Sequence, residues 1–156
     1  MITTATPRNP HITTCLVHPF AHEPGRVFLA EDDPFLRNGL TRAFGSRGFE
    51  VVAAANGSAM LDSLRHFRDW NQDERSVLVT DLDMPLVGGV ELARQAALEG
   101  WRFPVVFMSG DPAPELVEKA KPRGAPGPGV RFFAKPFSVH ELLATVASVM
   151  PPRSWR

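Results

Sequence analysis

The stretch Val77-Leu78-Val79-Thr80-Asp81 is apolar and β-branched for most of its length, then stops on a carboxylate. A short apolar run bounded by polar residues has the pattern of a buried strand in a parallel sheet. Three other runs end in the same manner. Val27-Phe28-Leu29-Ala30 stops at Glu31-Asp32-Asp33, Val105-Val106-Phe107-Met108 at Ser109, and Phe132-Phe133-Ala134 at Lys135-Pro136. In an open α/β sheet, ligands bind outside the carboxyl ends of the strands. The four endings would therefore bring carboxylates, a hydroxyl and an ammonium to one edge. Such a set suits a pocket that handles a phosphoryl group.

Helical patterns separate the strands. The first strand is expected over 26–30. Asp33-Pro34 then has the form of a helix N-cap with proline at the first helical position. The helix that follows places Phe35, Leu36, Leu40, Ala43 and Phe44 on one face and stops near Gly48. A strand is expected at about 50–54. Asn56-Gly57 opens a second helix with Met60, Leu61, Leu64 and Phe67 inward. A polar stretch over 69–75 leads to the strand at 76–80. Gly88-Gly89 precedes a third helix with Val90, Ala93, Ala97 and Leu98 inward. Further strands are expected at 104–108 and 130–134. Between them, Pro112, Pro114, Pro122, Pro126 and Pro128 crowd together with Gly124, Gly127 and Gly129. That composition predicts a short helix near 113–121 and then a rigid loop. Ser138-Val139-His140-Glu141 is a capping box. It opens a last helix with Leu142, Leu143, Val146 and Val149 buried, ended by Pro151-Pro152. Five βα units with short connections predict an α/β protein with helices on both faces of a parallel sheet.

The bulk numbers agree with a single domain. The chain has 156 residues, enough for a real core. Lys+Arg and Asp+Glu balance at 17 each, so net charge offers no nucleic-acid or membrane surface. No apolar run approaches the roughly 18–20 residues of a membrane span. A single cysteine, Cys15, cannot close an internal disulfide, which fits a reducing cytoplasm. Residues 1–25 read as a flexible arm rather than a secretory signal. Residues 26–150 form the domain, and 151–156 a short tail.

The chemistry of the edge follows from charge. Glu31, Asp32 and Asp81 crowd like charges together unless a cation joins them. A hard divalent ion with oxygen ligands answers this, and Mg²⁺ accepts few protein ligands plus waters and a phosphate. Asp33 is read as the helix cap. Asp81 has the carboxylate of a phosphoryl acceptor. Ser109 could bond a phosphoryl oxygen, and Lys135 could pair with the same group as a point charge. Lys135 is placed inward because its strand is expected to end inside the core.

In combination, Ala30-Glu31-Asp32-Asp33-Pro34, Asp81-Leu82-Asp83-Met84-Pro85 with Gly88-Gly89, Met108-Ser109-Gly110 and Lys135-Pro136-Phe137 resemble the receiver domain of two-component response regulators. The resemblance covers about residues 26–150. It implies a flavodoxin-like, doubly wound (βα)5 fold with strand order 2-1-3-4-5. It implies that Asp81 takes a phosphoryl group from a sensor histidine kinase or a histidine phosphotransfer protein. Asp32 would be the direct Mg²⁺ ligand, Glu31 would act through water, and the Asp83 carbonyl would add a further ligand. Ser109 matches the switch hydroxyl, Phe132 the switch aromatic, and Lys135 the family's lysine, whose bond to Pro136 is commonly cis. Asp83 and Asp111 stand where the family tunes phosphoryl lifetime.

The resemblance also implies a phosphoprotein that catalyses only its own phosphotransfer and dephosphorylation, with an unidentified downstream protein and room for a homodimer. Two features depart from the family pattern. The stretch before the third strand is longer than usual, and the loop before the fifth is rich in Pro and Gly. After Met150 the sequence leaves little room for a DNA-binding domain, so a stand-alone receiver or one cut from a longer chain is expected. Two other readings compete. One is a receiver-like binding module indifferent to phosphorylation. The other is a haloacid-dehalogenase-type phosphatase, whose Asp-x-Asp would sit on the first strand rather than the third.

Overall fold

In the computed structural model, which describes residues 25–68, 75–111, 115 and 129–151, five parallel strands carry the chain. They are β1 (Arg26–Ala30), β2 (Glu50–Ala54), β3 (Ser76–Asp81), β4 (Val105–Ser109) and β5 (Val130–Ala134). Their spatial order is β2-β1-β3-β4-β5. The helices are α1 (Pro34–Ser46), α2 (Gly57–Phe67), α3 (Gly89–Leu98) and α4 (Val139–Val149). The order reverses between β1 and β3, the crevice where a doubly wound sheet takes its ligand.

Alternation along the strands divides the core in two. Phe28, Val52, Leu78 and Phe107 face one side, with Met60, Leu64, Leu92 and Ala96 of α2 and α3. Val27, Val51, Val79 and Val106 face the other, with Leu40, Phe44, Leu142 and Val146 of α1 and α4. Strands buried on both faces are the reason β1 and β3 read as unbroken apolar runs.

The caps work as their residue types require. Asp33 Oδ1 accepts from the Phe35 N–H at 2.8 Å, with proline next in line. Asn56 Oδ1 accepts from Ala59 at 2.8 Å, and Ser138 Oγ from Glu141 at 3.3 Å. Gly48, just past α1, takes a positive φ of 85°, which a side chain would resist.

Some expectations need correcting. Phe35 is 88% exposed rather than inward. It lies in the first turn of α1, where the helix has barely begun to cover the sheet, and burial starts in earnest at Leu40. On α3 the buried residues are Gly89, Leu92 and Ala96, while Ala97 and Leu98 are exposed. Gly89 sets that phase. A Cβ there would strike the Asp81 carbonyl oxygen, so this side of the helix must lie against the end of β3. Val90 and Ala93 stay at the margin of the core. β5 is half exposed rather than buried, as the last strand in the order. The helix expected near 113–121 lies almost wholly outside the described residues.

Strand register places the chemistry. Ala30 is level with Thr80, so Glu31 follows beside Asp81. Asp81 is level with Met108, and Ser109 with Ala134. Ser109 thus lies one residue further out than Asp81, and Lys135 two. At about 3.3 Å per residue, a long flexible side chain at Lys135 can fold back to reach Asp81.

Candidate functional site

Glu31 and Asp81 are held in matching ways at the ends of adjacent strands. Glu31 Oε1 accepts the Asp33 N–H at 3.0 Å, and Asp81 Oδ1 accepts the Asp83 N–H at 3.0 Å. Each second oxygen meets the same ammonium. Lys135 Nζ is 3.1 Å from Glu31 Oε2 and 2.8 Å from Asp81 Oδ2. Glu31 is fully buried and Asp81 nearly so, whereas the Lys135 side chain keeps 26% exposure. The lysine is therefore placed by its two carboxylates more than by the strand it follows.

Asp32 completes the cluster from the solvent side. Carboxylate oxygens of Glu31, Asp32 and Asp81 lie within 4.8 Å of one another. Two of the three acids, Glu31 and Asp81, share the Lys135 ammonium, and Asp32 stands beside them. Burial pushes the Glu31 carboxyl up, opposed by the Asp33 amide and Lys135, and the Asp81 charge adds to the rise. At Lys135, burial pulls the ammonium down, but bonds to Asp81 and Glu31 and their charges outweigh it, and its pKa is raised. An oxygen-only donor set with surplus negative charge and one open side fits a hard divalent cation such as Mg²⁺.

The remaining expected residues surround this cluster at varying depth. Asp83 is exposed; its amide braces Asp81, and its carboxylate stands outside the cluster. Ser109 is buried, and its Oγ accepts the Asp111 N–H at 3.1 Å. Its carbonyl accepts the Lys135 N–H at 2.7 Å. Asp111 is exposed. Phe132 is partly buried and stacks on Phe107, with centroids 5.2 Å apart. The Lys135–Pro136 peptide is cis.

Two features went unread in the sequence. Arg37 Nη1 donates to the Glu31 carbonyl at 2.9 Å and to the Asp32 carbonyl at 3.4 Å. Leu86, in the loop after Asp83, has a φ of 70° and is almost fully exposed. The Val87 N–H donates back to the Pro85 carbonyl at 2.9 Å around it, a tight three-residue turn. A basic residue one turn into a helix that starts beside an acidic pair was the available signal for Arg37.

The fold and site together define a doubly wound α/β protein with a lysine-bridged acidic cleft at the carboxyl edge of its sheet. Residues 27–147 match the response regulator receiver domain, and the chain belongs to that family. It is 33% identical over 131 residues to Nodulation protein W of Bradyrhizobium diazoefficiens, covering 84% of this chain and 53% of that one. It is 29% identical to the response regulator receiver protein CpdR of Brucella abortus, covering 80% of this chain and 96% of that one. The chain thus spans about half the length of several curated relatives and nearly all of another. In structure it is similar to the chemotaxis protein CheY4 of Vibrio cholerae, with a TM-score of 0.65 at 24% identity. That match covers 81% of this chain and 98% of the other. No helix among the described residues is long and apolar enough to cross a membrane.

Proposed function

We propose that the chain is a phosphoacceptor switch. Asp81 receives a phosphoryl group from an N-phosphorylated histidine on a sensor kinase or phosphotransfer protein in the cytoplasm. The observation that carries this reading is the single Lys135 ammonium shared by Asp81 and Glu31, with Asp32 alongside. An Asp81 oxygen attacks phosphorus. The O–P bond forms as the N–P bond breaks, and the imidazole nitrogen keeps the electron pair. Lys135, already on Asp81, is placed to exchange that carboxylate oxygen for a phosphoryl oxygen. Asp32 and Asp81, with the Asp83 carbonyl and Glu31 behind them, would hold Mg²⁺, which supplies positive charge for the incoming phosphoryl oxygens.

The new anion draws the Ser109 hydroxyl, and Phe132 follows into the space released. Contacts with a downstream protein then read the change. Asp83 and Asp111, exposed on either side, tune how long the phosphoryl group survives.

The test is transfer from a phosphohistidine donor in Mg²⁺ to the parent and to Asp81→Asn. The parent should gain one hydroxylamine-labile phosphoryl group and the variant none. Equal labelling of the variant would remove Asp81 from the role. A parent that takes up neither phosphoryl nor beryllofluoride would be a phosphorylation-independent binding module instead.

A further inference from the structure

Arg37 lies one turn into α1, and its guanidinium reaches back over the loop that carries the acidic pair. Its bonds go to the backbone of Glu31 and Asp32, at 2.9 and 3.4 Å, and not to their carboxylates. The Glu31 N–H still belongs to the sheet, donating to the Ala54 carbonyl at 3.1 Å. The Glu31 carbonyl lies past the end of β1 and finds its donor in Arg37. A buried carbonyl left without one is costly. The Asp33 amide holds the Glu31 side chain, and the Asp33 carboxylate caps α1. Among the described residues the Asp32 carboxylate accepts no hydrogen bond, so its backbone alone aims it.

We propose that Arg37 is a positioning residue for cation binding. Its guanidinium fixes the Glu31–Asp32 backbone so that both carboxylates face the cleft. The inference rests on the reading of that cleft as a Mg²⁺ site. Two effects of removing Arg37 oppose each other. Losing a nearby positive charge would tighten Mg²⁺ binding by easing repulsion. Losing the brace would loosen it, because a partner that orients a metal ligand commonly sets affinity by about 10–100-fold. The brace should win, since the guanidinium is partly hydrated and its charge screened, whereas among the described residues no other group hydrogen-bonds Asp32 itself.

Mg²⁺ titrations followed by the amide shifts of residues 31–33 and 81 decide the matter. Arg37→Gln should weaken Mg²⁺ binding about tenfold, the low end of that range because eased repulsion offsets part of the loss. Arg37→Lys keeps the charge but replaces the fork by one ammonium, and should fall between Arg37→Gln and the parent. Loss of fold stability alone would lower the melting temperature of both variants and leave the Mg²⁺ affinity of the folded fraction unchanged. Affinity in Arg37→Gln equal to or tighter than the parent's overturns the proposal. Should Arg37→Gln fail to fold, parent-like affinity in Arg37→Lys overturns it equally. A parent that binds no Mg²⁺, or Asp32→Asn binding as tightly as the parent, would overturn the underlying site reading instead.

Discussion

The two edges of the sheet handle charge differently. At the amino edge, Arg26 pairs with Glu50 at 2.8 Å, and its guanidinium lies 4.5 Å from the centre of the Phe67 ring. Nearby, Arg75 donates to the Pro151 carbonyl at 2.7 Å. Among the described residues the Arg26 cation meets the Glu50 anion, and it also finds an aromatic face. At the carboxyl edge, three carboxylates cluster, two of them on one ammonium, and burial pushes the Glu31 carboxyl up. A matched pair is sufficient for folding. A cluster whose acids outnumber its cations, two of them buried, opposes folding unless something else binds there. On the proposed reading, the contrast separates charge that holds the fold from charge kept for a ligand.

Removing the shared ammonium tests the contrast most severely. Lys135→Ala leaves Glu31 and Asp81 facing each other without a cation. The metal-free variant should lose about 3 kcal/mol, the low end for breaking a buried pair because the lysine keeps some exposure. Mg²⁺ at about 100 times its dissociation constant should return roughly 2.7 kcal/mol. Urea unfolding with and without Mg²⁺ reads both quantities. A loss that Mg²⁺ does not repair would mean the acids are not a cation site.

Acidity gives a smaller and opposite signal. Glu31 in the folded, metal-free chain has a pKa above its ordinary 4.5. Between those two values the native state holds the extra proton, so stability from this group rises as pH falls through the raised pKa toward 4.5. Lys135, raised above 10.5, contributes stability below that value and loses it as pH climbs through the folded pKa. Thermal unfolding in EDTA should show both trends, and saturating Mg²⁺ should abolish the first. Glu31→Gln removes the acid slope; a slope that persists would assign it elsewhere.

Glu50→Gln at the amino edge should do least. Glu50 is 41% exposed, and Arg26, though only 7% exposed, keeps the Phe67 face, so the loss should be about 1 kcal/mol. It should be the same with and without Mg²⁺. Any Mg²⁺ dependence would mean that the two edges are not independent.

The strand endings were legible because Glu31, Asp81, Ser109 and Lys135 each close a mainly apolar run, and the parallel register then aligns them. The helix faces were less so. On α3 two apolar stripes overlap, Val90-Ala93-Ala97 and Gly89-Leu92-Ala96, and a glycine pressed on the Asp81 carbonyl selects the second. Composition cannot reveal a choice made by the absence of a side chain. Phe35 misled because periodicity does not say where a helix begins to cover its sheet. Arg37 was faintly marked, by its place one turn into α1, because its partners are main-chain carbonyls that leave no trace in side-chain spacing. Lys135 was placed for the wrong reason. Its strand is half exposed, and two acids draw its head inward.

Ser109 ties two chain segments together. Its carbonyl holds the amide of Lys135, and its hydroxyl holds the amide of Asp111. The first bond survives rotation about the side chain, and the second does not. Turning the hydroxyl toward Asp81 breaks one hydrogen bond before it makes another, and leaves the Asp111 amide seeking a new acceptor. On the proposed switch, Gly110 and Asp111 must then shift with the hydroxyl or hold it in place, which would make this serine a threshold rather than a dial.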